Sequence, residues 1–218
     1  MTYKGFLFDL DGTLVDSLPM VERAWIQWGA RHGYDAETIL AFIHGKPAIT
    51  SLRHFLAGKS EEEIQREFLA LEKTEAEEVE GIVALPGAVA LLARLNELHI
   101  PWGIVTSGSV PVAHARHKAA GLPMPEVFVT AERIKIGKPD PEPYLLGAEL
   151  LGVPVEQCIV VEDAAAGILS GLAAGSFVIG VNVPADAPRL ADVHLRLDSL
   201  ANLQVAREAD GSVALSGF

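Results

Sequence analysis

Several things are scarce in this sequence, and each scarcity excludes something. Cys158 is the only cysteine among 218 residues, so no intramolecular disulfide is available. No uninterrupted apolar run approaches the length needed to span a bilayer. The first residues lack a basic segment followed by an apolar stretch and a small-residue cleavage site, so no secretory signal is expected. Basic residues are few: 17 Lys and Arg stand against 29 Asp and Glu, and the net charge of −12 argues against a general nucleic-acid binder. A small anionic ligand is still compatible with that charge, because a few placed cations and a bound metal ion govern the field of one site. No internal repeat, low-complexity segment or long linker interrupts the chain. Half of the residues are hydrophobic, enough at this length for one sizeable core with a small insertion. These features predict a soluble, cytoplasmic protein with no membrane association and no obligate protein partner.

The chain is organised around Gly5-Phe6-Leu7-Phe8-Asp9-Leu10-Asp11-Gly12-Thr13-Leu14. Its apolar run has the length of a buried parallel strand, and two carboxylates stand at the C-terminal end. Ligands in open α/β sheets bind outside that end of the strands. Asp and Gly are also ordinary turn residues, so a polar turn is the plain alternative. A calcium loop is excluded, because the Glu it needs six residues after Gly12 is Leu18.

Two further strand ends and one turn carry polar groups. Residues 102–105 lead into Thr106-Ser107-Gly108, a hydroxyl pair that either caps the next helix or donates to a phosphate. Residues 158–161 end in Glu162-Asp163, with a helix after them. Gly137-Lys138-Pro139-Asp140-Pro141 reads as a rigid turn before a helix, with Lys138 exposed at its start. Strands are also expected over 127–129, 177–181 and 195–200, and helices over 88–98 and 113–120. A hairpin turning at Asp210-Gly211 is expected in the tail. His114 and His117 share one helix face without a third metal ligand, and solvent-facing positions are the simpler reading. Alternating strands and helices specify an α/β fold with a doubly wound, mainly parallel sheet.

Between residues 16 and 81 no strand-like run of four apolar residues occurs. Asp16-Ser17-Leu18-Pro19 reads as a helix start. Ser60 and Glu63 have the spacing of a capping box, and Ile64, Phe68 and Leu71 follow with helical period. The acidic cluster over 72–80 reads as a solvated face. The expected organisation is an α/β core of residues 1–15 and 82–218, with a helical cap over 16–81.

The four motifs together, in this order and each at its strand end or loop, resemble the haloacid dehalogenase superfamily. Within it the chain is similar to the branch with a small helical cap, which includes β-phosphoglucomutase and many sugar and polyol phosphatases. The resemblance implies a Rossmann-like core and a Mg²⁺-dependent phosphatase acting on a small phosphorylated metabolite, a sugar or polyol phosphate, through an aspartyl-phosphate. Asp9 is then the nucleophile, and Asp11 the acid for the leaving group and the base for water. Adjacent acids at Glu162 and Asp163, near Asp9 and Asp11, need a cation to stay charged together, and Mg²⁺ suits an all-oxygen site. The expected metal ligands are Asp9, the Asp11 carbonyl and Asp163, with Glu162 nearby or through water. Thr106, Ser107 and Lys138 are the expected phosphate contacts. In the cap, the loop at His44, Gly45 and Lys46 is the expected contact to the leaving group.

A phosphosugar mutase is the alternative, but Val21 and Ala48 stand where the similar mutase has a His and an Arg. A dehalogenase has no need of Asp11 or Asp163, and a phosphoreceiver has no cap insertion.

Overall fold

In the computed structural model of the protein, residues 2–44 and 46–218 are described. The chain opens with β1 (Gly5–Phe8) and the two-residue β2 (Val15–Asp16), then four consecutive helices, α1 (Leu18–Arg31), α2 (Ala36–Ile43), α3 (Ala48–Phe55) and α4 (Glu61–Glu77). It returns through β3 (Val83–Ala84) and α5 (Ala88–Glu97) to β4 (Trp102–Val105), α6 (Val110–Ala119), β5 (Val127–Val129), α7 (Glu142–Leu151) and β6 (Cys158–Glu162). The last elements are α8 (Ala165–Ala174), β7 (Phe177–Val181), β8 (Leu195–Leu197), β9 (Gln204–Arg207) and β10 (Val213–Ser216).

Six strands form one sheet in the order β5-β4-β1-β6-β7-β8. Every pairing in it is parallel. Phe6 lies opposite both Trp102 and Ile159, which puts β1 at the centre. Side chains alternate across a strand, and here the alternation feeds two cores. Phe6, Phe8, Trp102, Ile104, Ile159 and Val161 fill one face together with Leu91, Leu92 and Leu95 of α5 and Ala113 of α6. Leu7, Val105, Cys158 and Val160 fill the other with Tyr144 and Ala148 of α7 and Ile168 of α8. A strand buried on both faces has no polar alternation to show, which is why these strands read as plain apolar runs.

The inserted helices add their own apolar stripe to the first of these cores. Trp25 and Trp28 of α1, Ile39 of α2, Leu52 and Phe55 of α3 and Ile64 and Leu71 of α4 are all buried there. The Ser60–Glu63 capping box forms as the sequence indicates, each side chain bonding the other's backbone N–H. The pair β2–β3, antiparallel, joins the points where the chain leaves and re-enters the sheet region. Two residues carry too little periodicity for this pair to be expected. The tail hairpin β9–β10 is present, with Gly211 at φ +83° in its turn. Among the described residues no helix is long and apolar enough to cross a membrane.

Three local expectations are corrected. Lys138 is not an exposed charge: its side chain is 7% accessible. His117 does not face solvent; it is buried, with Nε2 2.9 Å from the Pro123 carbonyl and its ring against Phe128. The acidic cluster over 72–80 is not wholly solvated, because Glu75 is turned inward onto Arg116.

Candidate functional site

Asp9 follows β1, Thr106 follows β4 and Glu162 ends β6, three neighbouring strands. Parallel strands bring their C-terminal ends to the same edge, so these groups converge without any long-range irregularity. Lys138 arrives from the loop before α7. Its ammonium donates to Asp9 Oδ1 at 2.8 Å, to Glu162 Oε1 at 2.7 Å and to the Val105 carbonyl at 2.9 Å. That uses all three of its N–H groups. Asp9 is 13% exposed and Glu162 only 1%.

Glu162 is held from every side. Its Oε1 also accepts the Tyr144 hydroxyl at 2.6 Å, and its Oε2 accepts the Asp163 N–H at 3.3 Å. A methyl at Gly167 would overlap the Glu162 carboxylate, so the first turn of α8 needs a bare glycine. Glu162 cannot retreat, because Lys138 and Tyr144 hold it. Gly167→Ala should therefore lower stability by roughly 1–3 kcal/mol, the usual range for overpacking, and depress turnover with it. A thermal melt and a rate measurement on the purified variant check both. A melt and rate like the parent's would show that Glu162 can move.

The opposite wall of the site is the loop after β1. Gly12 sits at φ +84°, a conformation that favours glycine. A side chain there would also run into Asp163 Oδ2. Thr13 Oγ1 donates to Asp163 Oδ1 at 3.0 Å and orients it. One oxygen each from Asp9, Glu162 and Asp163 lies within 4.8 Å of the others.

Three carboxylates against one ammonium leave this cluster short of positive charge. Burial, then the charge of Glu162, hold the Asp9 carboxyl well above the usual range, with Lys138 opposing. The same two causes push Asp163 up to about 6. Burial works against the charged form of Lys138, but Asp9 and Glu162 outweigh it and raise its pKa. A hard divalent cation among these oxygens removes the repulsion, and an all-carboxylate donor set suits such an ion. Asp9 and Asp163 fit the role of direct ligands. Glu162 fits it less well, since its oxygens already accept from Lys138, Tyr144 and the Asp163 N–H.

The carboxylate of Asp11 lies to one side of this cluster. Its Oδ1 accepts from Ser17 Oγ at 2.7 Å and pairs with Arg116 at 3.0 Å. Ser17 precedes α1, but its hydroxyl makes no capping bond and serves Asp11 instead. Thr106 is buried, and its Oγ1 accepts the Gly108 N–H at 3.1 Å, as a strand-end turn requires. Ser107 is exposed beside it. The hydroxyl of Ser109, at the start of α6, is buried without a partner among the described residues.

Not every expected residue joins this group. His44 Nε2 lies 3.3 Å from Glu22, and Lys46 folds back to donate to the Phe42 carbonyl at 2.7 Å, with its ammonium over the Phe42 ring. Gly45 lies outside the described residues. Sequence reasoning gave no role to Tyr144, Thr13, Gly167 or Arg116. Only Arg116 left a signal. On α6 the buried positions are 112, 113, 116 and 117, a helical stripe, and an arginine on a buried stripe calls for partners.

Known proteins place the chain in a family. A family model described as haloacid dehalogenase-like hydrolase matches residues 3–175. The chain is 66% identical to hexitol phosphatase A of Escherichia coli (strain K12), an alignment covering 99% of this chain and 100% of that protein. It is 36% identical to validoxylamine A 7'-phosphate phosphatase of Streptomyces hygroscopicus subsp. limoneus, over 93% of this chain and 96% of that one. Among solved structures, β-phosphoglucomutase from Clostridium difficile superposes with a TM-score of 0.77 at 27% identity, covering 93% of each chain. The motif residues converge on one sheet edge inside the matched span, and the chain belongs to the haloacid dehalogenase-like hydrolase family.

Proposed function

We infer that this chain is a phosphatase of small phosphate monoesters, with polyol and sugar phosphates as its substrate class, working through an aspartyl-phosphate on Asp9. One observation carries the reading: a carboxylate at the end of the central strand has one oxygen fixed by a buried lysine, inside a cluster of acids that fits a divalent cation. The relatives named hexitol phosphatase A and validoxylamine A 7'-phosphate phosphatase support the substrate class.

Lys138 holds Oδ1 of Asp9 and so orients the carboxylate, one oxygen of which attacks phosphorus. As that bond forms, the bond from phosphorus to the ester oxygen breaks, and its electron pair goes to the leaving alkoxide. Asp11 gives the alkoxide a proton. Asp11 then takes a proton from water as the water attacks phosphorus, which releases phosphate and restores Asp9. The net reaction is ester plus water to alcohol plus phosphate. Thr106 and Ser107 serve the phosphoryl oxygens by hydrogen bonds, and Lys138, whose three N–H groups are already taken, serves them through its charge. Mg²⁺, held by Asp9, Asp163 and the Asp11 carbonyl, supplies neutralisation of the clustered carboxylates and of the phosphoryl charge when bound. Helices α1 to α4 act as the cap that covers the leaving group, with core and cap dividing near residues 15 and 82.

The test is phosphate release from a panel of monoesters: hexitol phosphates, glycerol 1-phosphate, hexose phosphates, a nucleotide and a phosphoamino acid. Hexitol and related polyol esters should rank first. No release from any monoester would overturn the reading. In the same assay a chelator should remove activity and added Mg²⁺ should restore it; full activity in chelator would exclude a metal requirement.

A further inference from the structure

Arg116 is not among the four motifs, yet it touches a motif residue. It lies on α6, and its side chain is 8% accessible. One guanidinium nitrogen, Nη1, pairs with Asp11 Oδ1 at 3.0 Å. The other, Nη2, faces Glu75 Oε1 at 3.5 Å. Nε is buried without a partner among the described residues. Glu75 is 13% exposed and belongs to α4, the last of the four inserted helices. It stands four residues after Leu71 and eleven after Ile64, both buried, so it occupies the same helical stripe. Burial pushes its carboxyl up and Arg116 pulls it back.

One guanidinium therefore spans two carboxylates from different parts of the chain. Asp11 belongs to the loop after the central strand, and Glu75 to the helical insertion. A planar fork presents its N–H groups in one rigid plane and so holds two acids at set angles. The second holder of Asp11 Oδ1, Ser17, stands at the entrance to α1. Both groups that orient Asp11 are thus anchored to, or paired with, the inserted helices.

We propose that Arg116 is a positioning residue for Asp11, and that Glu75 fixes its guanidinium so that the placement of α4 sets the orientation of the acid. This rests on the reading of Asp11 as the group that protonates the leaving alkoxide. Removing Arg116 leaves Asp11 held by Ser17 alone, which fixes it less well, so protonation of a poor leaving group suffers most. A nitrophenolate leaves without a proton and depends on Asp11 much less in the step that kcat/KM reports.

The experiment measures kcat/KM for a hexitol phosphate and for 4-nitrophenyl phosphate in the parent, Asp11→Asn, Arg116→Gln, Glu75→Gln and the Asp11→Asn/Arg116→Gln double variant. The alkyl-to-aryl ratio should fall roughly a hundredfold or more in Asp11→Asn, the scale of general acid catalysis. In Arg116→Gln it should fall roughly tenfold, the loss of one charge-assisted contact. The double variant should show no further fall beyond Asp11→Asn. Glu75→Gln keeps the shape of the pair, and should move the ratio the same way by a smaller factor; it carries the test if Arg116→Gln does not fold. Equal losses on both esters, or a further fall in the double variant, would make Arg116 a structural residue and overturn the inference. A ratio unmoved in Asp11→Asn itself would overturn the acid assignment, and this inference with it.

Discussion

Asp9→Asn should leave a folded protein with turnover reduced on the order of a thousandfold or more, the scale seen when a covalent nucleophile is removed. The amide has the shape of the carboxylate, and its oxygen still accepts from Lys138. What it lacks is the charge and basicity needed to bond phosphorus. Stability should be kept, because the replaced charge is one that burial and Glu162 already disfavour. Circular dichroism and a melt establish the fold, and released phosphate measures the rate. Retention of even a tenth of the parent rate would remove Asp9 from the role.

Lys138→Met should damage stability and activity together. Among the described residues the ammonium is the one positive charge in contact with Glu162, which is almost wholly buried. Removing one partner of a buried pair costs about 3–5 kcal/mol. In a chain of this length that lowers the melting temperature by on the order of 10 °C. Methionine fills the space of the lysine stem, so the loss reports the charge rather than a cavity. Turnover should fall roughly ten- to a hundredfold or more through loss of the charge-assisted contact to Asp9. A variant that melts like the parent would show that Glu162 does not need this partner.

The legible part of this molecule is the part that repeats along the chain. Strands buried on both faces are continuous apolar runs, and β1, β4, β6 and β7 were visible as such. The charged groups at their ends were visible because a polar residue directly after such a run breaks the pattern. Partnerships across the sheet were not visible. Nothing local says that Lys138 turns inward to Asp9 and Glu162, 129 and 24 residues away. Tyr144 looks like any aromatic in the first turns of an amphipathic helix until Glu162 is placed against it. Glu75 sits inside an acidic run that hides it, although its spacing from Ile64 and Leu71 puts it on the buried stripe of α4. The side chains of the loop at His44 and Lys46 contact Glu22 and Phe42, partners that no local pattern indicates.

The most direct measurement is an acid quench during turnover with a phosphate-labelled hexitol ester, followed by mapping of the label on the chain. The account predicts label on the peptide containing Asp9, released by hydroxylamine as an acyl phosphate is, and absent from Asp9→Asn. Turnover at the parent rate with no labelled chain at any quench time, or label on another residue, would contradict it.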